Sequence, residues 1–318
     1  SGDAEIQQHG FAIGADQEVF LDYDFVQDRL DTIALTSAGE VKVFEGTPAL
    51  GIVLPAPVAD GFTPIARVWV LGTTAKLSDD LLYPIDFNTP DEPKAASPSE
   101  AERFLPKTLA KLRNGEPLTL VTFGDSVTCG GGVGADQSLW WQRQFIVRLQ
   151  ERFPKAQLTW KNAGWGGASS DAYMKSPKGS EHDYVRDVLE PKPDLVVIEF
   201  VNDAYLDEKG VANHYGRILD DLRGIGAEVA LMTPHLVRPD WMKLSETKVK
   251  EDPRPYVRGL KEFAAANNVA IADGSAQYCA LWRQGIPYMS LMTNNINHPD
   301  VRGHKLFANA LMAMFPEK

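Results

Sequence analysis

The sequence predicts an α/β protein: three layers built on a parallel sheet, preceded by a smaller β-rich region. Three observations carry this expectation. After residue 99, strand-sized apolar runs alternate with helix-sized amphipathic segments, a rhythm that implies right-handed crossovers and a parallel sheet covered on both faces. Before residue 86 there are only short β-type runs between Gly and Pro, with no long amphipathic pattern. Between the two lies a stretch rich in Pro, Asp, Asn and Ser, containing Pro90, Pro93 and Pro98, which reads as a linker. The predicted organisation is a β-rich, sandwich- or jelly-roll-like domain over 1–85, a linker over 86–99 and an α/β domain over 100–318.

In chain order, Val19, Leu21, Tyr23 and Phe25 alternate around Asp22 and Asp24, and residues 41–44 and 68–71 follow as strands. The α/β part opens with a helix over 99–113, a strand over 118–123, a glycine-rich loop and a helix over 138–153. Strands are predicted at 157–160, 194–200, 228–232 and 269–272, and helices at 212–223, 255–266 and 303–314. Ligands of such sheets bind at the carboxyl ends of the strands. A short, proline-rich linker is semi-rigid, so the β-rich domain is expected to pack on its neighbour and shape one wall of the cleft.

Composition excludes several functions. Of 318 residues, 43 are acidic and 32 basic, a net charge of −11, the wrong sign for holding a phosphate backbone. Nucleic acid is therefore not an expected partner. The longest apolar runs are strand-sized, well short of the roughly 18 to 20 residues of a membrane helix, so no membrane partner is expected. Cys129 and Cys279 are the only cysteines, which rules out a disulfide scaffold and a four-cysteine zinc site. No His-Glu-x-x-His spacing occurs among His9, His182, His214, His235 and His304, and no metal is predicted. The glycines of 130–135 begin six residues after Gly124, too late for a dinucleotide fingerprint, and no Gly-Lys-Ser or Gly-Lys-Thr follows them. No cofactor is predicted. A start at Ser1-Gly2-Asp3 is compatible with a removed signal peptide, favouring a secreted or periplasmic location, and equally with a trimmed cytosolic protein.

Four short segments carry candidate chemistry. Ser126, in Gly124-Asp125-Ser126, follows a strand end, where a serine becomes a nucleophile if a base reaches it. Asn162, Gly164 and Gly167 follow the next strand, and glycines there can turn N–H groups toward an oxyanion. Asn202-Asp203 ends a third strand with an amide donor. His298 stands on a loop before the last helix.

These four segments, in this order, resemble the SGNH (GDSL-like) hydrolase superfamily over roughly residues 116–316. The resemblance implies a flavodoxin-like three-layer α/β/α domain. It makes Ser126 the nucleophile, His298 the catalytic base, and Ser126 N–H, Gly167 N–H and the Asn202 amide the oxyanion hole. Phe200 stands where the family has glycine, and Asn295 where it has the aspartate that orients the base. Three arrangements fit Asn295: its carbonyl oxygen orients His298, the enzyme runs as a Ser-His dyad on a backbone carbonyl, or the site is weakened. Trp165, between glycines on a loop, and His235, after a strand end, are candidate substrate contacts. Cys129 reads as a small buried filler.

The expected function is a serine esterase that removes short acyl groups, most simply acetyl, from a small-molecule or polysaccharide ester. The carbohydrate part comes from analogy with two-domain members carrying an N-terminal β-domain. A lipid or aryl ester hydrolase and a glycan-binding protein with weakened catalysis are the alternatives.

Overall fold

The computed structural model describes residues 26–317. The alternating segment at 19–25 lies outside the described residues. The first described part is an antiparallel sheet of β1 (Arg29–Thr36), β2 (Val41–Phe44), β3 (Phe62–Val70) and β4 (Leu82–Pro84) in the order β2-β1-β3-β4. It is a single sheet among the described residues, where the sequence suggested a sandwich or jelly roll. The physical reason lies in what covers its inner face: Leu30, Val53, Trp69 and Tyr83 form a small core with Trp282 and Met289 of the later chain in place of a second sheet.

The predicted helix at 99–113 is two helices, α1 (Glu100–Phe104) and α2 (Pro106–Asn114). Leu105, held out of the helical region at φ −125° and ψ 46°, precedes a proline that disfavours helical backbone before it. The strand β5 (Pro117–Gly124), helix α3 (Trp141–Arg152) and strand β6 (Gln157–Gly164) follow, then short α4 (Ser170–Met174) and β7 (Leu195–Glu199). The chain completes with α5 (Glu208–Gly224), β8 (Glu228–Met232), α6 (Pro255–Asn267), β9 (Ala270–Ala272), α7 (Gly274–Ala280) and α8 (Val301–Met312).

The five strands β6-β5-β7-β8-β9 are all parallel. This is the 2-1-3-4-5 order of a flavodoxin-like sheet, whose switch point lies between β5 and β7. Side-chain alternation builds the two outer layers. Leu118, Leu120, Leu195 and Val197 face one core with residues of α2, α3 and α8, while Val121, Phe123, Val196 and Ile198 face the other with α5 and α6. Both faces of β7 are fully covered, so its end is a rigid platform for the loop after it. No helix among the described residues is long and apolar enough to cross a membrane.

Candidate active site

The switch point places the ends of β5 and β7 side by side, with Gly124 opposite Glu199. Gly124 has to be glycine: a Cβ there would lie 2.1 Å from Thr128 Oγ1 and 2.3 Å from the Glu199 carbonyl oxygen. The chain then turns, and Ser126 emerges half-buried from otherwise buried surroundings. Its Oγ lies 3.0 Å from His298 Nε2, across 172 residues of sequence.

The loops after β5, β6 and β7 are tied together. Buried Asp125 accepts the N–H groups of Val127 (3.1 Å) and Asn202 (2.9 Å). Trp165 N–H donates to the Gly124 carbonyl at 3.0 Å, and the Asn202 amide donates to the Ala168 carbonyl at 3.1 Å. Asn202 is thereby fixed between the Ser126 loop and the loop bearing Gly167, with one amide proton to spare. Neither Ser126 N–H nor Gly167 N–H donates to an acceptor among the described residues. Asn162 holds the Thr128 carbonyl at 2.9 Å, and Asp203 accepts Ser170 N–H and the Tyr215 hydroxyl, both at 2.9 Å.

Below the Ser126 loop lies Glu199, fully buried, with Thr128 Oγ1 donating to Oε2 at 3.3 Å and no partner for Oε1 among the described residues. Burial raises Glu199 well above the usual carboxylate range and raises Asp125 as well. Two backbone N–H groups stabilise the ionised form of Asp125, whereas Glu199 has a single long contact, so Glu199 is the carboxyl kept neutral.

His298 is oriented by its backbone. Asn294 Oδ1 accepts the N–H groups of Ile296 (3.0 Å), Asn297 (2.9 Å) and His298 (3.0 Å). The His298 carbonyl accepts from Thr293 N–H at 2.8 Å and Thr293 Oγ1 at 3.0 Å. His235 Nε2 lies 2.6 Å from the Asn297 carbonyl, so that nitrogen carries the proton and the ring is a donor. Burial depresses His298 below its usual range, which keeps the ring neutral, and a base, to lower pH.

Asn295 is the main correction. The Asn294 side chain collects three N–H groups of its own loop, and Asn295 beside it is exposed, at φ 56°, with no hydrogen bond to His298. No carboxylate or other acceptor meets His298 Nδ1 among the described residues. His235 is a second correction: it is fully buried beside Tyr278 and Phe307, depressed by desolvation to about 3, and holds the His298 loop from behind instead of facing substrate. Trp165 is half-buried, with one ring face stacked on His182 (4.8 Å, 17°) and Tyr173 meeting it edge-on. Cys129 packs against Gly164 and its thiol is raised by burial, which suits a filler and not a thiolate.

Two further residues support the site: Thr293, which no sequence signal marks, and His304 on the last helix. His304 is buried, accepts Trp141 N–H at Nδ1 (3.1 Å) and reaches the Gly131 carbonyl from Nε2 (3.1 Å). It thus joins α8, the start of α3 and the glycine loop behind Ser126. Among the described residues no cluster of His, Cys, Asp and Glu is arranged to hold a metal ion.

A flavodoxin-like sheet with a serine and a histidine within hydrogen-bond distance at its carboxyl edge defines an SGNH-type hydrolase. Residues 122–306 match the GDSL-like lipase/acylhydrolase family, and the chain belongs to it. Among solved structures it is similar to a two-domain esterase active on acetylated mannans, at 21% identity and TM-score 0.51, covering 66% of this chain and 51% of that one. The same esterase co-crystallised with mannopentaose aligns at 22% identity and TM-score 0.51, covering 66% and 52%. The chain thus spans about half the length of these esterase structures. A lipase/acylhydrolase from Enterococcus faecalis aligns at 21% identity and TM-score 0.45, covering 61% and 93%. No curated protein is found to match.

Proposed function

We propose that this hydrolase is a serine esterase that removes acetyl groups from a carbohydrate. The observation that carries the proposal is the 3.0 Å contact between Ser126 Oγ and His298 Nε2. Ser126 Oγ attacks the ester carbonyl carbon as His298 Nε2 takes its proton, and the carbonyl oxygen becomes an oxyanion. Ser126 N–H, Gly167 N–H and the uncommitted proton of the Asn202 amide are the donors for that oxyanion. The intermediate collapses, the C–O bond to the sugar breaks, and His298 returns the proton to the leaving alcohol. Water then attacks the acyl-serine, giving its proton to His298, and acetate leaves as Ser126 is regenerated. The acetylated-mannan activity of the two-domain esterase supports a carbohydrate substrate.

With a backbone clamp in place of an acid at Nδ1, the pair works as a Ser-His dyad. The test is Ser126→Ala assayed on p-nitrophenyl acetate and on acetylated polysaccharides. kcat/KM is expected to fall by about 10³-fold or more, with an unchanged melting temperature. Turnover within tenfold of the parent overturns the assignment.

A further inference from the structure

Over the carboxyl ends of β7 and β8, beside the Ser126–His298 pair, lies a cleft of about 890 Å³. One wall is the segment after β7, with Asn202 and Tyr205; the other is the turn at Pro239–Met242, with Trp241, followed by Lys243. Asn297, the residue before His298, also lines it.

We propose that this cleft is the subsite for the alcohol side of the ester, where sugar rings rest against Trp241 and Tyr205; the proposal builds on the esterase reading above. Continuity comes first. The cleft begins at Asn202 and at the neighbour of His298, so an ester whose carbonyl meets Ser126 extends one end into it. Size comes second. The volume falls in the range of pockets that bury a drug-sized ligand, far beyond the needs of a two-carbon acyl group.

Chemistry decides between a sugar and an alkyl chain. Trp241 is 58% and Tyr205 65% exposed, and such rings present an apolar face with a polar edge to solvent, the surface that complements the C–H faces and hydroxyls of a pyranose. Leu206, Val237, Met242 and Leu244 also line the cleft and suit any apolar face, while Asp207 and Lys243 offer an acceptor and a donor to sugar hydroxyls, partners an alkyl chain does not use.

The Trp241 wall is held in place. Arg238 N–H donates to the Ile296 carbonyl at 2.8 Å, joining the turn to the histidine loop. Lys243 closes it in the left-handed conformation at φ 59°, a backbone state that non-glycine residues adopt mainly where the surroundings impose it. Further along, Thr247 is hydrogen-bonded to Tyr83 Oη, and Lys248 Nζ donates to the Asp79 carbonyl at 2.7 Å. The N-terminal sheet contributes no residue to the cleft; it buttresses the wall from outside.

The experiment compares Trp241→Ala and Tyr205→Ala with the parent on acetylated oligosaccharides of xylose, glucose and mannose, and on p-nitrophenyl acetate and octanoate. Both side chains are exposed, so folding is expected to be retained. The expected result is a loss of kcat/KM on the preferred oligosaccharide at least tenfold larger than any loss on p-nitrophenyl acetate, carried by KM. Equal losses on both substrates, or none, overturn the subsite. A selective loss on the octanoate makes the cleft an acyl pocket and overturns it too. Calorimetric titration of Ser126→Ala with the same oligosaccharides separates this proposal from the esterase reading. Binding that disappears on adding Trp241→Ala supports the subsite even if the parent turns over no ester, and absent binding overturns it even if p-nitrophenyl acetate is hydrolysed.

Discussion

At the scale of single residues, the histidine loop is set by which asparagine bonds its own backbone. Asn294 collects three backbone N–H groups, and Asn295 is exposed with no hydrogen bond to His298. Restoring the family aspartate by Asn295→Asp is therefore expected to change kcat/KM on p-nitrophenyl acetate by less than about threefold. A rise of tenfold, about 1.4 kcal/mol of transition-state stabilisation, would show that position 295 reaches Nδ1 during turnover. The positions of Ser126 and His298, on loops past a strand end and before the last helix, were legible because four short segments occur in one order, and the structure brings the two side chains within 3.0 Å. The roles of Asn294 and Asn295 were not. Asn294, Asn295 and Asn297 are alike in type, and only the backbone turn decides which side chain bonds its own loop. His235 misled for a related reason: proximity to a strand end says nothing about depth, and burial turned a candidate substrate contact into a support for the Asn297 carbonyl.

At the scale of elements, the glycine loop after β5 and the loop before α8 are interlocked. Gly132 adopts φ 93°, and a Cβ on it would stand 2.1 Å from the Pro299 carbonyl oxygen, one residue past His298. Gly132→Ala is thus expected to cost about 1–3 kcal/mol in backbone strain. By moving His298 from Ser126 it should also lower kcat at least tenfold. Denaturant unfolding and steady-state kinetics on the one variant read both numbers, and a variant equal to the parent in both would contradict the interlock. The strands and long helices after residue 116 were legible because period and length agree. Four elements were harder. Strand β1 hides its alternation because Leu30, Asp31 and Thr32 are all buried, with Asp31 bonded to Gly46 N–H at 2.8 Å. Helix α7 is only seven residues long, and α1 and α2 share one amphipathic pattern across a proline.

On the scale of the whole molecule, the N-terminal sheet and the hydrolase fold share one small core and several hydrogen bonds. Arg67 Nη1 reaches the carbonyls of Gln284 (3.0 Å) and Gly285 (3.2 Å), Val53 N–H the Ser290 carbonyl (3.1 Å), and Asp86 N–H the Arg283 carbonyl (2.7 Å). Removing residues 1–98 uncovers Trp282 and Met289 and strips the outer support from the Trp241 wall. The fragment is expected to elute mainly as aggregate in size-exclusion chromatography. A stable monomer with full activity on polymer would show the two parts to be independent. The sheet packs on its neighbour, but it does not form a wall of the cleft as the short linker suggested: among the described residues it lines no part of it and supports the Trp241 segment from outside through Tyr83 and Thr247. Contacts such as Tyr83 with Thr247 join residues 164 apart, and no local pattern records them.

His304 also makes unfolding a proton-uptake reaction. With Nδ1 accepting from Trp141 and Nε2 bonded to the Gly131 carbonyl, the folded ring is neutral and its pKa is depressed by burial to about 4. The unfolded chain protonates the same ring near pH 6.5. The stability this histidine contributes is complete above about pH 6.5 and is lost as the pH falls toward about 4, because over that interval the unfolded state holds one more proton. Asp125 and Glu199, raised by burial, act in the opposite sense, so the comparison that isolates the ring is between the parent and His304→Gln. The variant's unfolding free energy should rise with pH less steeply across this interval, by up to about 1.4 kcal/mol per pH unit. Identical slopes would mean that the ring behind the Ser126 loop already carries its second proton in the native fold.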